Sequence, residues 1–181
     1  MPPYLDWALT QPTVDPPGKG HTAAILTVSD GVAQGHREDL SGPALVSLLE
    51  SEGYTVVARG TVPDEDSEIS QGIKDLAGQA ALVITTGGTG FGPRDVTPEA
   101  TRSLLDREAP GLVVLMVSEG IKASPVAALS RPVAGTLGRS LVVNLPGSPK
   151  GALENLTALL PVLPHALTLL AGDTEHRDTP S

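Results

Sequence analysis

The chain has no cysteine among its 181 residues, which excludes disulfides, thiolate metal sites and cysteine nucleophiles. Aromatic residues are nearly as scarce: one Phe, one Trp and two Tyr make up 2% of the sequence. The core must therefore be built mostly of Leu, Val, Ile and Ala. Basic residues are also few, and 12 Lys and Arg against 21 Asp and Glu leave a net charge of −9. That balance argues against non-specific binding to nucleic acid or to an anionic membrane surface. It still permits an anionic ligand, provided backbone amides and a few basic side chains line the site locally. No apolar run approaches the roughly 18 residues of a membrane span. The four histidines (His21, His36, His165, His176) show no metal-ligand spacing, and His165, between Leu163 and Leu167, reads as a packed helix residue. Residues 1–20 carry five prolines and lack a basic start followed by an apolar core, so they read as a flexible or loosely docked tail rather than a secretory signal. Residues 172–181 read as a second, polar tail. A cytoplasmic location is the default expectation.

What is present alternates between two kinds of segment. Ala23 to Val28, Ala81 to Ile84 and Leu141 to Val143 are short, continuous apolar runs, the pattern of strands buried on both faces. Tyr54 to Val62 is β-branched and strand-like. Between them, Ala44, Leu45, Leu48 and Leu49 recur at helical spacing up to Gly53, and Ile69, Ile73 and Leu76 do so up to Gly78. Thr97-Pro98-Glu99 combines a cap, a first-turn proline and a first-turn acid, and Pro110-Gly111 favours a helix over Leu112 to Val117. Helical spacing returns after Pro149. Residues 21–171 are thus expected to form one three-layer α/β domain, with a mostly parallel sheet and helices on both faces.

The most informative stretch is Thr85-Thr86-Gly87-Gly88-Thr89-Gly90-Phe91-Gly92-Pro93-Arg94-Asp95-Val96-Thr97-Pro98. A buried strand opens into four glycines within six residues, and a capped helix follows. In open α/β sheets ligands sit beyond the carboxyl ends of the strands, so this loop lies where a site belongs. Glycines let backbone amides approach an anion closely, and Arg94 can fork onto a phosphate. Asp95 would repel a phosphate unless a divalent cation bridges the two. The competing reading is a tight turn with Arg94 and Asp95 paired at the surface, and the glycines alone leave the two even. No Lys follows the glycines, so this is not a Walker loop, nor is it a G-x-G-x-x-G fingerprint. Ser29-Asp30 ends the first strand at the same sheet edge. Val62-Pro63-Asp64-Glu65 ends the second, where Asp64 could simply cap a helix. Asn144-Leu145-Pro146-Gly147-Ser148 leaves another strand and is either an anion contact or a capped turn.

The string from Thr85 to Ala100 resembles the signature of the molybdopterin adenylyltransferase family, which includes bacterial Mog-type proteins and the G domain of gephyrin. The likeness spans residues 24–170. It includes Leu26-Thr27-Val28-Ser29-Asp30, Asp39-Leu40-Ser41-Gly42, Val62-Pro63-Asp64-Glu65, Ser130-Arg131-Pro132-Val133 and Asn144 to Ser148, all in order. The resemblance implies transfer of AMP from Mg-ATP to the terminal phosphate of molybdopterin, with release of pyrophosphate. It makes Asp64 and Asp95 catalytic acids that share one Mg²⁺. It puts Ser29, Asp30, Gly87, Gly88, Thr89, Gly90 and Arg94 at the ATP phosphates, and Ser130, Arg131, Pro146, Gly147 and Ser148 at molybdopterin. It further implies a homotrimer and a separate molybdenum-insertion protein as recipient of the product. The rival expectation is a non-catalytic molybdopterin-binding or scaffold protein of the same fold.

Overall fold

The computed structural model describes residues 15–172. Its strands are β1 (Thr22–Val28), β2 (Thr55–Val62), β3 (Leu82–Thr86), β4 (Arg107–Glu108), β5 (Ala134–Leu137) and β6 (Ser140–Leu145). The helices are α1 (Asp30–Ala33), α2 (Ser41–Ser51), α3 (Asp66–Ala77), α4 (Thr97–Arg102), α5 (Pro110–Ala123), α6 (Pro149–Leu159) and α7 (Leu163–Leu170), with a 3-10 helix at Pro125–Leu129. One sheet of order β2-β1-β3-β6-β5-β4 joins the strands. β2, β1, β3 and β6 run parallel, whereas β5 and β4 add an antiparallel edge.

The apolar runs are continuous because the central strands are covered on both faces. Ala23, Ile25, Leu82, Ile84, Leu141 and Val143 point to one side, where they meet Leu45 and Leu49 of α2, Met116 of α5, Leu156 of α6 and Leu167 of α7. Ala24, Leu26, Val28, Val83 and Val142 point to the other, against Ile69 and Ile73 of α3 and Ala100 of α4. Each fully buried Leu or Ile contributes about 2 kcal/mol relative to exposure. The only buried hydrophobics outside Leu, Val, Ile and Ala among the described residues are Tyr54 and Met116, as the shortage of aromatics required. β2 is the outer strand, and its alternation of exposed and half-buried residues shows it. Its register slips between Ala23 and Ala24, leaving Val57 outside the ladder. Such a bulge twists an edge away from unwanted pairing.

Several local expectations need correction. Thr97 does not cap α4; Val96 holds that position, and the Thr97 hydroxyl donates to Gly87 O at 2.9 Å. Leu112 to Val117, by contrast, is helical as expected, within α5. His165 lies on α7 but is exposed rather than packed. Residues 15–20, assigned by sequence to the tail, form a turn whose Gly18 N–H donates to Glu52 O at 2.8 Å. The sequence places a short strand after Ser130-Arg131, found as β5; its antiparallel hairpin with β6, turning at Gly138 with φ +59°, was not foreseen.

Candidate active site

Because β1, β2, β3 and β6 are parallel, their carboxyl ends meet at one edge of the sheet. From β1 the chain passes outward to β2, and from β2 it returns across to β3. The strand order therefore reverses between β1 and β3, where doubly wound sheets open a crevice. Ser29 and Asp30 follow β1, Asp64 follows β2, the glycine loop follows β3, and Pro146 to Ser148 follow β6. Glycine is required at two points of that loop. Gly87 has φ +107°, and a Cβ there would come within 2.1 Å of Val28 O. Gly88 has φ +63°, and its Cβ would lie 2.3 Å from Thr97 Oγ1 and 3.0 Å from Asp64 Oδ1. Hydroxyls pin the surroundings: Thr86 Oγ1 donates to Pro146 O at 2.8 Å, and Ser41 Oγ donates to Gly147 O at 2.8 Å.

Asp64 is not a helix cap. Its Oδ2 accepts the Asp30 N–H at 2.8 Å, and its own N–H donates to Asp30 Oδ1 at 3.0 Å. This reciprocal pair locks the ends of β1 and β2 together. Arg94 forks onto Asp30, with Nε 3.1 Å from Oδ2 and Nη2 3.0 Å from Oδ1, and its Nη1 lies 2.7 Å from Glu65. Arg94 thus pairs with these two acids and not with Asp95. The guanidinium beside Asp30 holds that carboxyl below the usual carboxylate range. Asp64 goes the other way. Burial pushes it up, opposed by the bond from Asp30 N–H, while the Asp30 and Asp95 charges add to the rise.

Asp95 stands on the far side of the loop. Its Oδ2 accepts Gly92 N–H at 2.8 Å, and its N–H donates to Gly92 O at 3.0 Å. Ser130 Oγ lies 3.1 Å from Thr89 Oγ1, which ties the 130s segment to the loop. Arg131 N–H donates to Thr89 O at 2.9 Å, Nε to Gly90 O at 2.9 Å, and Nη2 to Asp95 O at 2.7 Å. Its remaining arm pairs with Glu99, whose carboxyl is held low by that guanidinium.

Two clefts flank the loop. The first, about 510 Å³, has Thr89, Gly90 and Ser130 at one end, with Met116, Val117, Val126 and Leu129 supplying an apolar wall. The second, about 480 Å³, is more polar and holds Ser29, Asp64, Gly87, Arg37 and Asp39. Both share Gly88, Asp95, Gly147 and Ser148. The first suits a flat heterocycle and the second a polar, charged chain, and the common wall is where two ligands would meet. Asp64 and Asp95 border the same space. Among the described residues no three His, Asp or Glu converge on a metal position.

Of the residues singled out by sequence, Ser29, Asp64, Asp95, Gly87, Gly88, Thr89, Gly90, Ser130, Pro146, Gly147 and Ser148 line these clefts. Asp30, Arg94 and Arg131 do not, being engaged in the contacts just described. Asn144, read with the Pro146 to Ser148 motif, is fully buried: Nδ2 donates to Thr85 and Thr101 hydroxyls, each at 2.9 Å. Ser148 does cap α6, accepting Gly151 N–H at 3.2 Å, while still lining both clefts. Sequence reasoning missed Asp39, which orders the cleft rim by accepting Thr27 Oγ1 at 2.8 Å and Gly42 N–H at 2.9 Å. It also missed Arg37 and Lys150. The motif Asp39-Leu40-Ser41-Gly42 was the available signal for Asp39; nothing marked Arg37 or Lys150.

Residues 24–165 match the family described as "Probable molybdopterin binding domain". The molybdopterin adenylyltransferase of Helicobacter pylori strain J99 is 38% identical over 82% of this chain and 87% of its own length. The molybdenum cofactor synthesis protein cinnamon of Drosophila melanogaster is 44% identical over 84% of this chain. The chain spans only 26% of cinnamon and 22% of the gephyrin of Dictyostelium discoideum. Among solved structures, the molybdopterin biosynthesis enzyme MoaB of Thermus thermophilus superposes with a TM-score of 0.80 at 51% identity, covering 84% of this chain and 97% of that one. The chain belongs to the molybdopterin-binding domain family of molybdenum cofactor biosynthesis.

Proposed function

We propose that this protein is a molybdopterin adenylyltransferase. The observation that carries this reading is the pair of clefts sharing Gly88, Asp95, Gly147 and Ser148, which gives two substrates a common boundary. Helicobacter relatives that it covers almost end to end bear that name. A terminal phosphate oxygen of molybdopterin attacks the α-phosphorus of ATP, the bond from that phosphorus to the β-bridging oxygen breaks, and pyrophosphate leaves with the electron pair. In such a transfer the protein mainly aligns the reactants and stabilises charge.

In this reading Ser29, Gly87 and Gly88 line the cleft of the ATP phosphates, Thr89 and Gly90 carry the loop on toward the first cleft, and Asp30 and Arg94, outside both clefts as they stand, complete the phosphate set. Asp30 acts there through Arg94, whose guanidinium must exchange Asp30 or Glu65 for phosphate. Ser130, Pro146, Gly147 and Ser148 bound the molybdopterin cleft. Asp64 and Asp95 would hold Mg²⁺, which when bound neutralises phosphate charge. The reading extends to a homotrimer, for which exposed apolar residues outside the clefts, such as Val114, Leu115 and Ile121, provide surface to cover. It also extends to a cytoplasmic setting and to delivery of the product to a separate molybdenum-insertion protein. Among the described residues no single helix is long and apolar enough to cross a membrane.

The test is pyrophosphate release from molybdopterin, ATP and Mg²⁺ together. Release that depends on all three is expected. Tight molybdopterin binding without any release would leave the non-catalytic binding or scaffold protein as the function.

A further inference from the structure

Arg131 sits among matched motif residues beside the pterin cleft, where a guanidinium invites assignment as an anion ligand. Its contacts say otherwise. Three arms of the guanidinium are used: Nε on Gly90 O, Nη2 on Asp95 O and Nη1 on Glu99. Gly90 and Asp95 are the two ends of the segment that carries the Asp95 carboxylate. Within that segment Gly92 and Asp95 bond each other twice, so the loop is a small closed unit. The carboxylate packs so closely that a Cβ on Gly90 or Gly92 would lie 2.8 Å from Asp95 Oδ2. Two guanidiniums join this unit to the rest of the fold: Arg94, which belongs to it and reaches Asp30 and Glu65, and Arg131, which holds its end carbonyls and is itself anchored by its N–H on Thr89 O and by Glu99 on α4. The Arg131 guanidinium also lies 5.7 Å from the Phe91 ring centroid, within cation–π range. A fork of fixed geometry that bonds the carbonyls of Gly90 and Asp95 together is suited to bracing backbone, and a lysine could not reproduce it.

We propose that Arg131 is a positioning residue that clamps the Gly90–Asp95 loop and so fixes the Asp95 carboxylate, rather than a ligand of molybdopterin. Its consequence for the metal rests on the adenylyl-transfer reading; the clamp itself does not. Glu99 is the second member of the device, since it holds the guanidinium from the side opposite the loop.

The test compares wild type with Arg131→Lys, Glu99→Gln, Asp95→Asn and the Asp95→Asn/Arg131→Lys double variant. Amide exchange at Gly92 and Asp95 in the ligand-free protein reads the clamp alone. Arg131→Lys should speed it by about tenfold or more, with Glu99→Gln moving it the same way by less. Mn²⁺ binding in the presence of ATP, followed by electron paramagnetic resonance, reads the carboxylate. It should weaken by roughly tenfold in Arg131→Lys, with no further loss when that change is added to Asp95→Asn. Molybdopterin binding, followed by pterin fluorescence, should be unchanged. Unaltered amide exchange in both single variants overturns the clamp. Weakened molybdopterin binding with intact Mn²⁺ binding makes Arg131 a ligand and overturns the proposal as well. If wild type holds no Mn²⁺ with ATP, the adenylyl-transfer reading fails, while the exchange data still decide the clamp. Should Arg131→Lys not fold, Glu99→Gln gives the same readouts.

Discussion

Asp64 and Asp95 present the same side chain to the same cleft, but the fold holds them by different means. Asp64 belongs to the sheet. Its backbone and carboxylate are exchanged with those of Asp30 at the ends of β1 and β2, so two strands paired along their whole length determine where it points. Asp95 belongs to a loop whose backbone bonds mainly to itself and which two arginine side chains tie down, Arg131 on its end carbonyls and Arg94 on Asp30 and Glu65. The sheet side is fixed by backbone geometry and its cost is electrostatic, since burial drives the Asp64 carboxyl up. The loop side depends instead on a side chain remote in sequence. A site built this way has one rigid wall and one wall that can be loosened by a single substitution outside it.

The largest expected effect comes from the acids themselves. Asp64→Asn and Asp95→Asn should each lower turnover by about a thousandfold, the scale of losing one preorganised charge-stabilising group, with both proteins folded by circular dichroism. Near-normal turnover in one of them would remove that acid from the site and end the comparison. Next is the seam between the two walls. Gly87→Ala places a methyl 2.1 Å from Val28 O at φ +107° and should cost about 3 kcal/mol in denaturant unfolding. A neutral result would mean the loop does not cross β1 as described. Arg94→Ala should leave stability nearly unchanged, because its ion pairs are half exposed. The same substitution should weaken ATP binding, which separates Arg94 from the bracing arginine across the loop.

The smallest effect is one of pH. With its folded pKa raised, Asp64 favours the folded state when protonated, and this contribution is lost as pH rises through the folded pKa. Asp64→Asn should therefore be slightly more stable than wild type at neutral pH, with the gap closing toward acid. Asp30, held low by Arg94, has the opposite sign: its contribution is present above the unfolded pKa and is lost as pH falls. Urea melts across the acid range check both, and a wild type more stable than Asp64→Asn at neutral pH would contradict the burial cost assigned to Asp64.

The sheet was legible in sequence because strands covered on both faces leave continuous apolar runs, as at Ala23 to Val28 and Leu82 to Ile84. The glycine loop was legible because its conformation needs glycine whatever binds there. What remained hidden was side-chain traffic between distant segments. Nothing in Thr97-Pro98-Glu99 says that the threonine hydroxyl turns back to Gly87 O instead of capping α4. Nothing in Ser130-Arg131 says that the guanidinium reaches carbonyls 41 and 36 positions away. Asp64 illustrates both cases: its importance followed from the family motif, whereas its partner Asp30, 34 residues earlier, needed the fold. β4 was missed because Arg107–Glu108 is two residues long and exposed, too short for any periodicity to show.

The central claim is that two substrates meet across the wall formed by Gly88, Asp95, Gly147 and Ser148. It is tested most directly by incubating the protein with molybdopterin, Mg²⁺ and ATP labelled at the α-phosphate, and following the label. The account predicts that the label moves onto the pterin in wild type and fails to move in Asp95→Asn. Competition of ATP and molybdopterin for a single cleft, with no label on the pterin, would contradict it.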